Sequence, residues 1–389
     1  MNQCISIIGQ TNARSRHQPF GLKHEDRFFH LYVIGQTGTG KSSLLENLIL
    51  QDMAAGHGLA VIDPHGDLAL RLMNQVPDPL RSRVHYLDTP RLDQGLGYNP
   101  LRGVRPNKVP LAASGLMEAF KKLWSDAWGQ RMEHILRNTL YALLEYGEAT
   151  LPDILRMLAE PAFRGKVLKR VKNVQVRHFW LSEFPHFNPR YRQETIAPIQ
   201  NKVGALLADP HLYRIFVKPE RELSFRKIMD QGEILIVNLS KGELGEDSAN
   251  LLGAILVTTI GLAALSRADS ATRRPFFLYV DEFQSFTTLS IANMVSELRK
   301  YGIGLILSHQ HLFQLESAVR HAVLGNVGSL VMFRLGVEDA HIMAREVAPW
   351  FAWDDIIQLP NYDTYCKLMI DGAPSRPFSA TTISPKQLH

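Results

Sequence analysis

Gly35-Gln36-Thr37-Gly38-Thr39-Gly40-Lys41-Ser42 fits the pattern G-x-x-x-x-G-K-[ST] in full. Those residue types suit the capture of a triphosphate. Glycines let the backbone curl until consecutive N–H groups point inward at phosphate oxygens, and a following helix N-terminus adds partial positive charge. Gly35, Thr37, Gly38, Thr39, Gly40, Lys41, Ser42 and Ser43 are therefore the expected nucleotide cradle. Lys41 would supply a cation for the β- and γ-phosphates, and the Ser42 hydroxyl would coordinate Mg²⁺. A second constellation lies far downstream, where the apolar run Phe276–Val280 ends in Asp281-Glu282. Asp281 is expected to hold Mg²⁺ through its water shell, and Glu282 to polarise an attacking water as general base. A further apolar run, 304–307, ends in Ser308-His309-Gln310, and Gln310 is placed to report the γ-phosphate. The expected cofactors are ATP and Mg²⁺. A base that activates water argues for an ATPase over a small-molecule kinase.

Such groups need strands to carry them. Short apolar, β-branched runs at 30–34, 59–62, 84–87, Ile234–Asn238, Phe276–Val280, 304–307 and 330–333 alternate with helical patterns. That alternation predicts an α/β fold with a mostly parallel sheet covered on both faces. Run 30–34 leads into the glycine-rich loop. Leu44, Leu45, Leu48, Ile49 and Met53 mark the helix leading out, which Gly56 is placed to end. Near the end of the chain, 366–370 and 376–382 predict a hairpin around Asp371-Gly372.

Between about 104 and 226 the strand-like runs vanish. Leu116, Phe120 and Leu123, then Ile135, Leu136, Leu140, Leu143 and Leu144, recur at helical spacings, and prolines cut the region into short helices. An inserted all-helical domain over 104–226 is expected, with the nucleotide-binding core in 1–103 and 227–389.

The bulk properties exclude several classes. With 389 residues, 45% hydrophobic and 21% charged, the chain is an ordinary globular protein. Its net charge of +5 suits a polyanionic partner without requiring one. Cys4 and Cys366 stand too far apart for a disulfide framework or a CxxC metal site, and the 15 histidines show no metal-ligand spacing. The N-terminus lacks a secretory pattern, and the apolar stretch 251–265 reads as a buried helix. A cytoplasmic location follows as an expectation.

Several motifs occur in one order: 35–42, Val61-Ile62-Asp63-Pro64-His65-Gly66-Asp67-Leu68, Tyr279-Val280-Asp281-Glu282-Phe283, and Arg299-Lys300-Tyr301-Gly302 before Ser308-His309-Gln310. Asn326-Val327-Gly328 and Phe333-Arg334 follow. Together they resemble the HerA/FtsK superfamily of DNA-pumping ATPases, with a RecA-like P-loop core. Within it they are most similar to the conjugative coupling proteins of type IV secretion, the TraG/TraD-like group. The resemblance implies a homo-hexameric ring with nucleotide between subunits and DNA in the pore. It also implies an arginine supplied by the neighbour, for which Arg299 holds the family's position and Arg334 is an alternative. Asp63 and His65 are expected near the nucleotide or the subunit interface, or as fixings of their own turn.

The group usually carries N-terminal membrane helices, and none is expected from these residues. Membrane attachment through a partner, or work free in the cytoplasm, is the expectation; a nuclease, a relaxase or a secretion component are possible partners. For DNA contact the basic run 163–180 offers Arg164, Lys166, Lys169, Arg170, Lys172 and Arg177 with Phe179 and Trp180. Two functions emerge as expectations: an ATP-dependent DNA translocase, or a nucleotide-switched docking platform.

Overall fold

In the computed structural model, residues 5–13, 17–91, 93, 95–287 and 294–384 are described. The chain divides into two compact units. The first comprises Met1–Tyr86, Arg226–Leu239 and Arg267–His389. Its strands are β1 (Ile5–Thr11), β2 (Pro19–Lys23), β3 (Leu31–Ile34), β4 (Gly58–Asp63) and β5 (Val84–Asp88), the last running into the second unit. The second comprises Leu87–Phe225 and Ser240–Ser266, and holds β6 (Leu96–Gly97) and β7 (Arg221–Glu222), a two-stranded parallel pair. The first unit continues with β8 (Ile234–Asn238), β9 (Phe276–Val280), β10 (Ile303–His309), β11 (Ser329–Met332), β12 (Asp363–Lys367), β13 (Met369–Ile370), β14 (Ala373–Pro374) and β15 (Phe378–Thr382).

Eleven strands form one sheet in the order β2-β1-β15-β12-β11-β3-β10-β9-β4-β8-β5. From β11 through β8 neighbouring strands are parallel. Beyond β11 the pairings turn antiparallel through β12, β15, β1 and β2. The sequences explain the change. Strands β3, β8, β9 and β10 are buried along their whole length, as helices on both faces demand. In β12, Asp363-Thr364-Tyr365-Cys366-Lys367 buries alternate residues, the mark of a strand with one wetter face. This is the α/β architecture, a mostly parallel sheet, that the sequence predicts. Strands β1 and β2 have no counterpart in the sequence reading, because Ser6, Gly9, Gln10 and Gly21 break their apolar patterns. The expected turn at Asp371-Gly372 is present, both residues at positive φ as a two-residue turn requires, but the strands it joins, β13 and β14, are only two residues each; the longer expected runs meet instead in the antiparallel pair β12–β15, where Cys366 faces Phe378.

The second unit is built mainly of helices, including α3 (Val109–Leu123) and, late in the chain, a 20-residue helix Glu246–Leu265. The expected boundaries for the helical domain, 104–226, thus differ from the compact unit, which adds residues 87–103 and 240–266. Main-chain bonds tie the earlier segment in: Tyr98 N to Ile215 O at 2.9 Å and Leu223 N to Gly97 O at 2.8 Å. The Glu246–Leu265 helix is apolar around most of its circumference and buried on most sides, so its sequence does not reveal which core it joins. Among the described residues, Glu246–Asp269 is the one helix long and apolar enough to cross a membrane, and 67% of its apolar window is buried inside the protein.

Close packing against α3 fixes that helix. A Cβ at Gly115 would lie 2.5 Å from Thr258 Cγ2. Overpacking of this kind costs about 1–3 kcal/mol. Gly115→Ala is therefore expected to lower the urea midpoint of the helical unit without changing nucleotide binding; an unchanged midpoint would show that the interface yields.

Candidate functional site

The glycine-rich loop emerges from β3 and feeds α1 (Lys41–Ala54). Gly38 has φ +77° and Gly40 φ +122°, conformations that side chains disfavour. A Cβ on Gly35 would lie 2.5 Å from Phe333 Cβ, so only glycine lets the loop close against that residue. Main-chain bonds anchor the loop on both flanks: Gly35 N to His309 O at 3.2 Å, and Gln36 N to Arg334 O at 2.9 Å. The Thr39 hydroxyl donates to Gln36 O at 2.7 Å, bracing the curl from within.

Lys41 is buried, and its ammonium folds back onto the loop, donating to Gly35 O at 2.6 Å and Gln36 O at 3.1 Å. Burial lowers its pKa; the nearby charges of Glu282 and Asp281 work the other way. The residues present fit a triphosphate: a curled backbone without Cβ atoms, and a desolvated cation inside it.

Strand β10 lies between β3 and β9, so the loop and the carboxylate pair stand two strand spacings apart, about 10 Å. Lys41 and the pair share the carboxyl edge of the sheet, where ligands bind in open α/β folds. Asp281 is pinned by its own N–H to Ile62 O at 3.1 Å. Burial first, then the charge of Glu282, pushes its pKa up to about 6. A carboxyl raised in this way is a site waiting for positive charge, which suits it to a metal ion with Ser42.

Glu282 adopts φ +46°, an uncommon backbone for a non-glycine residue, and lies 5% exposed. Its carboxylate accepts from Gln284 Nε2 at 2.7 Å and from Gln310 Nε2. Gln310 Oε1 in turn accepts from the Thr37 hydroxyl at 2.9 Å. A hydrogen-bonded chain therefore runs from the phosphate loop through Gln310 to Glu282. Adjacent His309 is buried with Tyr32 Oη 2.7 Å from its Nδ1, and burial lowers its pKa to about 3; it is a neutral packing group.

Asp63 has a structural task. Its carboxylate accepts from His65 N and Ala69 N, both at 2.9 Å, capping the turn into α2 (Asp67–Gln75). His65 is exposed. Gly66, at φ +91°, is required there because a Cβ would meet Asn238 Oδ1 at 2.4 Å.

Arg299 is not brought to this site. It lies in the turn Leu298–Tyr301 before β10, at the amino edge of the sheet, with its guanidinium 3.5 Å above the Phe29 ring. The seven residues of β10, about 23 Å, separate it from its own loop. Arg334 is nearer, but its guanidinium is engaged by Leu359 O at 3.0 Å and Asn361 Oδ1 at 2.9 Å. In the basic run, Phe179 and Trp180 are buried rather than presented as stacking surfaces. Arg164 packs over Trp180 and Phe184 and donates to Met157 O, so it too serves the helical core. Lys166, Lys169 and Lys172 remain exposed.

Residues 19–347 match the family of type IV secretion-system coupling protein DNA-binding domains. The chain belongs to this family. Among solved structures, the plasmid coupling protein TrwB in complex with the ATP analogue ADPNP matches with a TM-score of 0.68 at 17% identity, covering 96% of this chain and 89% of that one. TrwB in complex with ADP and Mg²⁺ matches with a TM-score of 0.67 at 17% identity, over 97% and 89% of the two chains. VirB4 of Thermoanaerobacter pseudethanolicus matches with a TM-score of 0.69 at 13% identity, over 98% and 97%. At such identities the likeness is one of fold. No curated protein sequence matches. Gln284, which steadies Glu282, escaped the sequence reading of the coupling-protein motifs. Its spacing of two from the base was the only signal available.

Proposed function

We propose that this coupling-protein family member is an ATPase that uses Mg²⁺-bound ATP to move DNA through a homo-hexameric ring. The observation that carries the reading is the hydrogen-bonded chain from Thr37 through Gln310 to Glu282, joining the phosphate cradle to a buried, positioned carboxylate. Lys41 would neutralise the β- and γ-phosphates, while Ser42 and Asp281 would hold Mg²⁺, which withdraws charge from the same oxygens. Glu282 would take a proton from water, and Gln310 would sense whether the terminal phosphate is present. Gly35, Gly38, Thr39, Gly40 and Ser43 complete the cradle. Arg299 is remote from its own loop, so it would act on phosphate in the site of a neighbouring subunit.

The family's DNA-binding description supports the choice of polymer, and exposed Lys166, Lys169 and Lys172 supply positive charge of the kind that backbone contact uses. The test is ATP turnover by the purified chain with and without DNA, beside displacement of a third strand from a triplex. DNA is expected to stimulate turnover several-fold, and triplex displacement to require ATP. Turnover without directed movement would instead mark a nucleotide-switched platform for a relaxase, nuclease or secretion partner. Absence of turnover would remove the motor.

A further inference from the structure

We infer that Tyr362 is the surface on which the nucleobase stacks; this rests on the nucleotide-binding reading above. Direction comes from sheet order. The Glu282–Gln310 end of the site lies on the β10 and β9 side of β3, whereas β11 and β12 lie on the other side. A triphosphate with its terminal phosphoryl group toward Glu282 runs back along the loop. Its nucleoside therefore leaves on the β11–β12 flank.

Tyr362 waits on that flank. It is 49% exposed, although large aromatic side chains are usually covered. Its ring lies against the phosphate loop: a Cβ built on Gly40 would be 2.9 Å from Tyr362 Cδ1. Its N–H donates to Thr39 O at 2.8 Å, so loop and tyrosine are fixed to each other. On the other side its carbonyl accepts from Thr382 N at 2.9 Å and from the Thr382 hydroxyl at 3.1 Å.

The backbone at Tyr362 has φ +71°, a conformation uncommon for an aromatic residue. Such outliers persist where the surroundings over-determine them, often at ligand sites. Here the surroundings include Arg334, whose side chain grips Leu359 O and Asn361 Oδ1 just ahead of the tyrosine. The same Arg334 receives Gln36 N on its carbonyl. One residue thus ties the start of the phosphate loop to the segment that presents the ring. An exposed aromatic ring offers a π-surface on which a nucleobase stacks.

The test compares ATP, GTP and inorganic tripolyphosphate by titration calorimetry on wild type, Tyr362→Ala, Tyr362→Phe and Lys41→Ala. Tyr362→Ala is expected to weaken ATP and GTP by roughly tenfold each while leaving tripolyphosphate unchanged. Tyr362→Phe should retain full affinity. Unchanged ATP affinity in Tyr362→Ala, with Lys41→Ala abolishing it, would overturn the stacking role and spare the nucleotide site. Equal loss of tripolyphosphate and ATP would show that the tyrosine only shapes the loop. Failure of wild type to bind any of the three would overturn both readings together.

Discussion

Glu282→Gln is expected to reduce ATP turnover by about 10²- to 10⁴-fold, the range that loss of a positioned general base produces. The amide is nearly the same size as the carboxylate and cannot accept the proton that an attacking water must lose. Affinity for ATP should survive, because Lys41, Ser42 and the loop N–H groups are untouched. The geometry favours so large an effect. The carboxylate is buried, oriented by Gln284 and Gln310, and carried on a backbone at φ +46° that holds it at the strand tip. Single-turnover hydrolysis with enzyme in excess separates chemistry from product release. Turnover within about tenfold of wild type would assign the proton to another acceptor.

Arg27→Ala carries the second large effect, and it falls on stability. Arg27 is 2% exposed and Asp52 1%, and the two form a paired salt bridge in which Nη2 lies 2.8 Å from Asp52 Oδ2. The same guanidinium donates to Ser6 Oγ at 2.9 Å and Tyr279 Oη at 2.7 Å, and stacks 3.7 Å above the Phe277 ring. Burial works against its charge, yet Asp52 and Tyr279 keep its pKa above the ordinary value. Removing one partner leaves a buried carboxylate uncompensated, which costs about 3–5 kcal/mol. Urea unfolding should show the loss as a lowered midpoint for the α/β unit. The paired change Arg27→Met with Asp52→Leu should cost clearly less than the two single changes summed, since no stranded charge remains. Equal costs would mean that the ion pair contributes only through packing.

This cluster shows what lies beyond a sequence reading. Arg27, Asp52 and Tyr279 are separated by 25 and 227 positions, and no local pattern joins them. The same holds for Arg334, Asn361 and Tyr362 beside Gly40. By contrast, Ile234–Asn238 and Phe276–Val280 match the expected strands at both ends, because fully buried parallel strands must be written as unbroken apolar runs. Strands β1 and β2 stayed hidden because an antiparallel outer pair tolerates polar residues and glycine. The Glu246–Leu265 helix was legible as a buried helix, but an all-round apolar surface carries no direction, so its membership of the helical unit was not.

The amino-acid order alone determined the phosphate loop, the carboxylate pair and the parallel sheet beneath them. Each of these rests on short-range requirements: glycine where φ is positive, a lysine at a fixed offset, apolar runs where both strand faces are covered. Tertiary structure alone decided which distant side chains meet those groups. It placed Gln310 between Thr37 and Glu282, turned Asp63 into a helix cap, and carried Arg299 to the far edge of the sheet. Strand order sets such neighbours, and strand order is a property of the folded sheet that no local stretch of the chain records.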